Sequence, residues 1–221
     1  MNNRYAIGDL HGCSKTFRKL VRDVIRLEKS DVLYCMGDYI DRGPDSKGVI
    51  DFILELRENG YTVNTLRGNH DQMMMDASKN SESLKDWLRN GGSTTLKSFN
   101  VQSYEELDSK YKRFFYETQF YFETGNYILV HAGLNFRYED PFQDTNAMMW
   151  IRGFTVDKKK LGDRIIVHGH TPLPWDVIQK QQGENVIGID AGCVYPNLTG
   201  FGHLVAFNLT TGEFFAVDNC E

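Results

Sequence analysis

Apolar positions in the first third of the chain alternate between two spacings. Tyr5–Ile7 is a short apolar run that stops at Gly8. Phe17, Leu20, Val21, Val24 and Leu27 then recur at helical spacing, with Ser14 placed to cap that helix. Val32–Met36 is a continuous apolar run of strand length that ends at Gly37. Val49, Phe52, Ile53 and Leu56 mark a second amphipathic helix, which Asn59-Gly60 stops. Tyr61–Leu66 makes a third strand before Gly68. Strand, helix, strand, helix, strand at this spacing predicts βαβ units around a parallel sheet.

The middle of the chain turns helical. Leu84, Trp87 and Leu88 share a face in a segment that Gly91-Gly92 should halt, and Tyr104–Tyr116 is a further helical candidate. Met73-Met74-Met75 and the pair Met148-Met149 read as core filler. Strands return at Tyr127–Val130, Arg164–Val167, Val186–Ile189, Leu204–Asn208 and Glu213–Val217, the last two joined by a Leu209-Thr210-Thr211-Gly212 hairpin. With no linker or repeat, residues 1–221 read as one α/β domain with a mixed sheet. The first three strands each end in a glycine-marked loop, where open α/β sheets carry their ligands.

Composition narrows the classes. Lys and Arg number 25 against 30 Asp and Glu, a formal charge of −5 that gives no support to nucleic-acid binding. Phosphate chemistry stays open, because bound metal ions can supply the positive field locally. No apolar run is long enough to span a bilayer, so no membrane partner is expected. The start, MNNRYAIGDL, has no apolar segment behind a basic head, and Cys13, Cys35, Cys193 and Cys220 form no C-x-x-C pair. They read as reduced thiols in a cytoplasmic protein, which makes the Asn-x-Thr matches at Asn197 and Asn208 incidental.

The three early loops carry the chemistry. They read Gly8-Asp9-Leu10-His11-Gly12, Gly37-Asp38-Tyr39-Ile40-Asp41-Arg42-Gly43 and Arg67-Gly68-Asn69-His70-Asp71. Asp and His two apart at a strand end face the same way and suit one metal ion. The flanking glycines permit tight turns and close approach of a ligand.

The set G-D-x-H-G, G-D-x-x-D-R-G, G-N-H-[DE] resembles the phosphoprotein phosphatase family of calcineurin-like metallophosphoesterases. The resemblance continues at His131-Ala132-Gly133-Leu134 and Gly169-His170-Thr171-Pro172, so it covers most of the chain. The short length and the G-H-T-P form look like bacterial and phage serine/threonine phosphatases. Asp71 stands where Glu is common in the family. The implied fold is a mixed β-sheet sandwich flanked by helices.

The resemblance also implies a two-metal site. Asp9 and His11 would hold the first ion, Asp38 would bridge both, and Asn69, His131 and His170 would complete the second. Mixed His, Asp and Asn ligation suits Mn²⁺, Fe²⁺ or Zn²⁺, with Mn²⁺ preferred here, better than Ca²⁺. Arg42 and Arg152 would hold the phosphate oxygens through their guanidinium forks. His70 would protonate the leaving alkoxide, and Asp41 would bond the other nitrogen of its ring. The motifs contain no nucleophilic Ser or Cys, so direct attack by a metal-bridging hydroxide is expected rather than a phosphoenzyme. His168 and His203 fall outside the matching positions and read as structural. Tyr39, Tyr195 and Phe201 are candidates to line a substrate groove.

The expected substrate is phosphoserine or phosphothreonine in a protein or peptide. A symmetrical diadenosine tetraphosphate hydrolase shares G-D-x-H-G-C and H-A-G, but those enzymes typically depart at the position of Asp41. A catalytically silent metal-binding scaffold is the third reading; silent relatives usually lose a ligand or the acid, and here each position is filled.

Overall fold

Alternation along the strands sets the layering in the computed structural model, which describes residues 2–221. In β1 (Arg4–Ile7), Tyr5 and Ile7 face one side and Ala6 the other. In β2 (Val32–Cys35), Leu33 and Cys35 oppose Tyr34 in the same way. These two strands and β3 (Thr62–Thr65) run parallel, as expected. β9 (His203–Asn208) joins β1 antiparallel, so that Ala6 lies between Tyr34 and Phe207. β10 (Phe214–Asp218) pairs with β9 through the predicted hairpin, and β8 (Asp190–Ala191) pairs with the start of β9.

A second sheet holds β4 (Tyr121–Thr124), β5 (Tyr127–Val130), β6 (Ile165–His168) and β7 (Val186–Gly188) in that order. The last three are parallel, and β4 is antiparallel to β5. The two sheets pack face to face through Tyr34, Met36, Val205 and Phe207 on one side and Leu129, Val167 and Ile187 on the other. Helices cover the outer faces. The first sheet buries Phe17, Phe52, Ile53, Trp87, Phe114 and Phe115, whereas the second buries Met148 and Leu161 against Ile128, Val130 and Ile166. This is the mixed-sheet sandwich that the resemblance implied.

The helices depart from the sequence pattern in instructive places. α1 (Ser14–Lys19) follows Cys13 with no side-chain cap, then widens into a π-type turn at Leu20–Val24. Ser14 is not the cap, because its hydroxyl donates to Asp45 Oδ2 at 2.5 Å. Asp45 itself caps α2 (Ser46–Glu58) by accepting from the Gly48 N–H at 2.9 Å. α3 (Asn69–Ala77) begins directly on the third motif, where the sequence showed only a loop. α4 (Ser81–Trp87) does not halt at Gly91-Gly92. It passes through a wide turn kinked at Gly91 and resumes as α5 (Ser93–Phe99), with Gly91 against Arg42 and Gly92 against the Trp87 indole. The 104–116 segment splits into a 3-10 turn, Tyr104–Glu106, and α6 (Ser109–Glu117), whose cap is Asp108. α7 (Thr145–Trp150), α8 (Lys158–Leu161) and α9 (Trp175–Ile178) lie between strands of the second half. Among the described residues no helix is long and apolar enough to cross a membrane.

Candidate metal centre

The carboxyl ends of five strands deliver one cluster. β1 leads to Asp9 and His11, β2 to Asp38, Asp41 and Arg42, β3 to Asn69 and His70 at the start of α3, β5 to His131, and β6 to His170. Positive φ recurs at His11 (38°), Asp38 (50°), Asp41 (70°), Arg42 (69°) and His170 (65°). Each such backbone costs of order 1 kcal/mol or more, and persists only where its surroundings hold it. Glycine also lets the backbone approach two of the carboxylates closely. A Cβ on Gly68 would lie 2.1 Å from Asp38 Oδ1, and one on Gly169 would lie 2.1 Å from Asp9 Oδ1.

Hydrogen bonding to backbone carbonyls sets the histidine tautomers. His11 Nδ1 donates to Ile40 O at 2.8 Å and His131 Nδ1 to Met36 O at 2.8 Å. Burial lowers the pKa of both, that of His11 to about 3, and Nδ1 is the nitrogen that carries the proton when the ring is neutral. The Nε2 lone pairs therefore face the centre, 3.5 Å (His11) and 3.6 Å (His131) from the same Asp38 Oδ2. His131 Nε2 is also 3.1 Å from Asn69 Oδ1, and His170 Nδ1 is 2.8 Å from it. His170 is lowered to about 3 by burial and by neighbouring His131, and its buried Nε2 has no partner among the described residues.

At His131 Nε2 an acceptor thus points at two acceptors, Asp38 Oδ2 and Asn69 Oδ1, an arrangement that calls for a cation. The carboxylates say the same. Burial pushes Asp9 well above the usual carboxylate range, aided by the charges of Asp190 and Asp38. Asp190 is pushed up to about 6 by burial, against the pull of the Gly192 N–H. Burial acts against the Asp38 charge too, yet His131, His70 and His11 around it hold its pKa low. Two groups of side chains converge closely enough to grip an ion, His11–Asp38–His70 and Asp38–His131–His170, with Asp38 in both. Mixed nitrogen and oxygen donors fit divalent ions of the Mn²⁺, Fe²⁺ and Zn²⁺ kind.

His70 has other engagements. Its Nδ1 lies 2.7 Å from Asp41 Oδ2 and its Nε2 accepts from Arg42 Nη2 at 2.8 Å. The other arm of Arg42, Nη1, donates to His11 Nε2 at 2.6 Å. The Arg42 fork thus sits between two imidazoles and satisfies the lone pairs of His11 Nε2 and His70 Nε2. Arg152 lies at the exposed rim, with Nη1 3.4 Å from both His170 O and Thr171 Oγ1.

Tyr39 is not a groove residue. It is fully buried, its hydroxyl donates to Leu66 O at 2.7 Å, and its ring meets Phe114 edge-on. Tyr195 is half-buried with its ring beneath the Arg42 guanidinium, 5.9 Å from centroid to Cζ. His168 turns its Nδ1 to Gly169 O and packs against Phe154, while His203 pairs with Asp218 on the outside.

The arrangement matches a known family. The model of the calcineurin-like phosphoesterases fits residues 4–205. The chain belongs to the calcineurin-like phosphoesterase family. This phosphoesterase is 31% identical over 198 residues to serine/threonine-protein phosphatase 1 of Salmonella typhimurium, covering 86% of the chain and 87% of that relative. It is 34% identical over 132 residues to the symmetrical bis(5'-nucleosyl)-tetraphosphatase of Nitrosospira multiformis, covering 59% of the chain but 43% of that relative. Among solved structures, one provisionally named a diadenosine tetraphosphatase superposes with a TM-score of 0.71 at 22% identity, over 100% of this chain and 95% of the other. A Saccharomyces cerevisiae protein serine/threonine phosphatase superposes at 0.65 and 16% identity, over 100% and 81%. These structures support the fold alone. The phosphoesterase is a metal-dependent hydrolase, and its family uses a dinuclear divalent metal centre.

Several residues of the site have no signal in the motifs. Asp190 is buried 4% exposed at the start of β8, where Asp-Ala-Gly-Cys offers no ligand spacing. Asp71, by contrast, closes the third motif; it accepts from the N–H groups of Asp38 (2.9 Å), Gly68 (2.9 Å) and Tyr39 (3.2 Å), tying the second motif loop to the third. Trp87 and Thr95 reach Asp41 from distant sequence. The tryptophan four residues before Gly91-Gly92 is the only local hint.

Proposed function

We propose that the chain is a dinuclear-metal serine/threonine phosphatase that hydrolyses phosphate monoesters on proteins or peptides. The observation that carries this reading is the buried His70–Asp41 pair. A serine alkoxide is a strongly basic leaving group and departs slowly unless a proton reaches it in the transition state. A nucleoside diphosphate leaves without that help. A His–Asp pair at 2.7 Å, with Asp41 fully buried, is machinery for the first kind of substrate.

In this reading Asp9, His11 and Asp38 would hold one cation, and Asp38, Asn69, His131 and His170 would hold the other. Two divalent ions, Mn²⁺ in preference to Fe²⁺ or Zn²⁺, would supply charge neutralisation at the phosphate and lower the pKa of water when bound. The chain's own groups do the rest. Arg42 turns its fork from the imidazoles to two phosphate oxygens, and Arg152 takes an oxygen from the rim. That turn frees the His70 Nε2 lone pair to take up a proton from solvent, and the resulting imidazolium gives that proton to the leaving oxygen. Asp41 holds the Nδ1–H and stabilises the imidazolium. Four free cysteines are consistent with a cytoplasmic setting.

A symmetrical diadenosine tetraphosphate hydrolase is the second reading, supported by the Nitrosospira multiformis relative. The two are separated by assaying a phosphoserine peptide and the dinucleotide side by side with Mn²⁺. The phosphatase reading expects the higher kcat/KM on the peptide. A clear preference for the dinucleotide overturns it, and turnover of neither ester revives the silent scaffold.

A further inference from the structure

We propose that Trp87 and Thr95 are positioning residues that hold the Asp41 carboxylate in line with His70, an inference that rests on His70 being the proton donor. Asp41 has no water-facing atom to spend, being 0% exposed. Its Oδ2 accepts from His70 Nδ1, and both its oxygens accept from the Trp87 indole N–H at 3.0 Å. Its Oδ1 accepts from the Thr95 hydroxyl at 2.6 Å. The same hydroxyl oxygen accepts from the backbone N–H of Asp41 at 2.9 Å. Thr95 therefore grips one residue at both ends and closes a ring that fixes the carboxylate's rotation. Ser46 Oγ supports it from behind, 3.2 Å from both the Asp41 N and Thr95 Oγ1.

The backbone around this clamp is built to deliver it. Asp41 has positive φ, so its own loop does not hold its direction cheaply. The α4–α5 hairpin supplies the hold from 46 and 54 residues away. Its kink brings the indole and the hydroxyl to the same carboxylate, and a Cβ on Gly92 would lie 2.6 Å from the Trp87 ring. A phenylalanine would fill part of the space that the indole fills but would offer no donor. The indole N–H lies 3.0 Å from both oxygens of a buried carboxylate. Indole offers a donor with no acceptor, so it restrains Asp41 without competing for the proton on His70.

A carboxylate free to rotate lets the imidazole swing, and small misplacements of a catalytic group are costly in rate. The loss falls on substrates that need the proton. The test compares Trp87→Phe, Thr95→Val, Thr95→Ser and His70→Asn, each loaded with Mn²⁺, on a phosphoserine peptide and on p-nitrophenyl phosphate. Trp87→Phe and Thr95→Val are expected to lose about ten-fold in kcat on the peptide, the scale of one hydrogen bond to a charged group. On the aryl ester, whose leaving group needs little protonation, they lose about two-fold or less. Bound metal measured alongside stays near the parent's, melting temperatures fall by several degrees but stay above the assay temperature, Thr95→Ser retains most of the peptide rate, and Trp87→Phe adds nothing to His70→Asn. Equal losses on both esters, lost metal, or Thr95→Ser as slow as Thr95→Val overturn the positioning role. If His70→Asn is itself unselective between the esters, the reading of His70 fails and takes the positioning role with it. If His70→Asn is selective while the clamp variants are not, the clamp alone is refuted.

Discussion

Removing the Asp71 carboxylate should loosen the fold and the metal centre together. Asp71 is 0% exposed and accepts from three backbone N–H groups, those of Asp38, Gly68 and Tyr39. Asp71→Ala leaves all three buried donors without an acceptor, at about 1–3 kcal/mol each. Burial pushes the Asp71 carboxyl well above its ordinary range, and Asp38 nearby adds to that, so removing the charge returns part of the loss. The net expectation is about 3 kcal/mol, which in a chain of this size lowers the melting temperature by about 6–12 °C. The second consequence is specific to the site. The Asp38 N–H and the Gly68 N–H share Asp71 Oδ2, so the loops carrying Asp38 and Asn69 lose their common anchor, and divalent-metal affinity should fall about 10–100-fold. Asp71→Asn keeps one acceptor oxygen and should lose about half as much stability. Thermal melts of the metal-free proteins and Mn²⁺ titrations of the same samples make the assay. A melting temperature within about 2 °C of the parent's, with unchanged Mn²⁺ affinity, would refute the anchoring argument.

Other expectations can be checked with the same tools. Gly68→Ala puts a Cβ 2.1 Å from Asp38 Oδ1 and 2.3 Å from its backbone N, so bound metal should fall while the circular dichroism stays that of a folded protein; Gly60→Ala, with nothing nearby, should keep its metal. Arg42→Ala should cost about 100-fold in kcat/KM, because its fork sits among the imidazoles, and Arg152→Ala at the exposed rim about ten-fold; the reverse order would exchange their weights. In α2, half-buried Asp51 resists ionisation through burial, yet Lys47 and the Tyr111 hydroxyl hold its pKa below the ordinary value. A lowered pKa stabilises above the unfolded value near about 4 and is lost as pH falls through the folded one. Asp51→Asn should therefore cost up to about 1 kcal/mol at pH 7, and urea unfolding should show the gap closing below about pH 4.

The site was legible in the sequence to the extent that its chemistry is local. Asp9 and His11, Asp38 with Asp41 and Arg42, and Asn69 with His70 arrive as short runs at strand ends, so strand pattern and motif reinforce each other. His131 and His170 were readable only through the resemblance, since a lone His after an apolar strand has no chemistry by itself. The supports were hidden for a physical reason. Trp87 and Thr95 reach Asp41 across 46 and 54 residues, and Asp190 enters from the last third of the chain. Their roles depend on tertiary packing, which spacing does not record. Fold errors had the same origin. α3 starts on a ligand motif rather than on an amphipathic stripe, and Gly91-Gly92, which ordinarily ends a helix, instead turns the chain around an indole. By contrast, β4 was within reach, since Thr124-Gly125-Asn126-Tyr127 is a two-residue hairpin signal between short apolar runs.

The central claim is that these loops form a two-cation centre that drives phosphoester hydrolysis, with Asp38 shared between the ions. The direct measurement is metal stoichiometry against activity. The protein is stripped with a chelator, then titrated with Mn²⁺ while bound metal and turnover of p-nitrophenyl phosphate are followed, in the parent and in Asp38→Asn. The account predicts no activity without metal, two ions bound per chain as activity returns, and fewer than two ions with little turnover in Asp38→Asn. Full turnover by metal-free protein, or two ions held undiminished by Asp38→Asn, would contradict it.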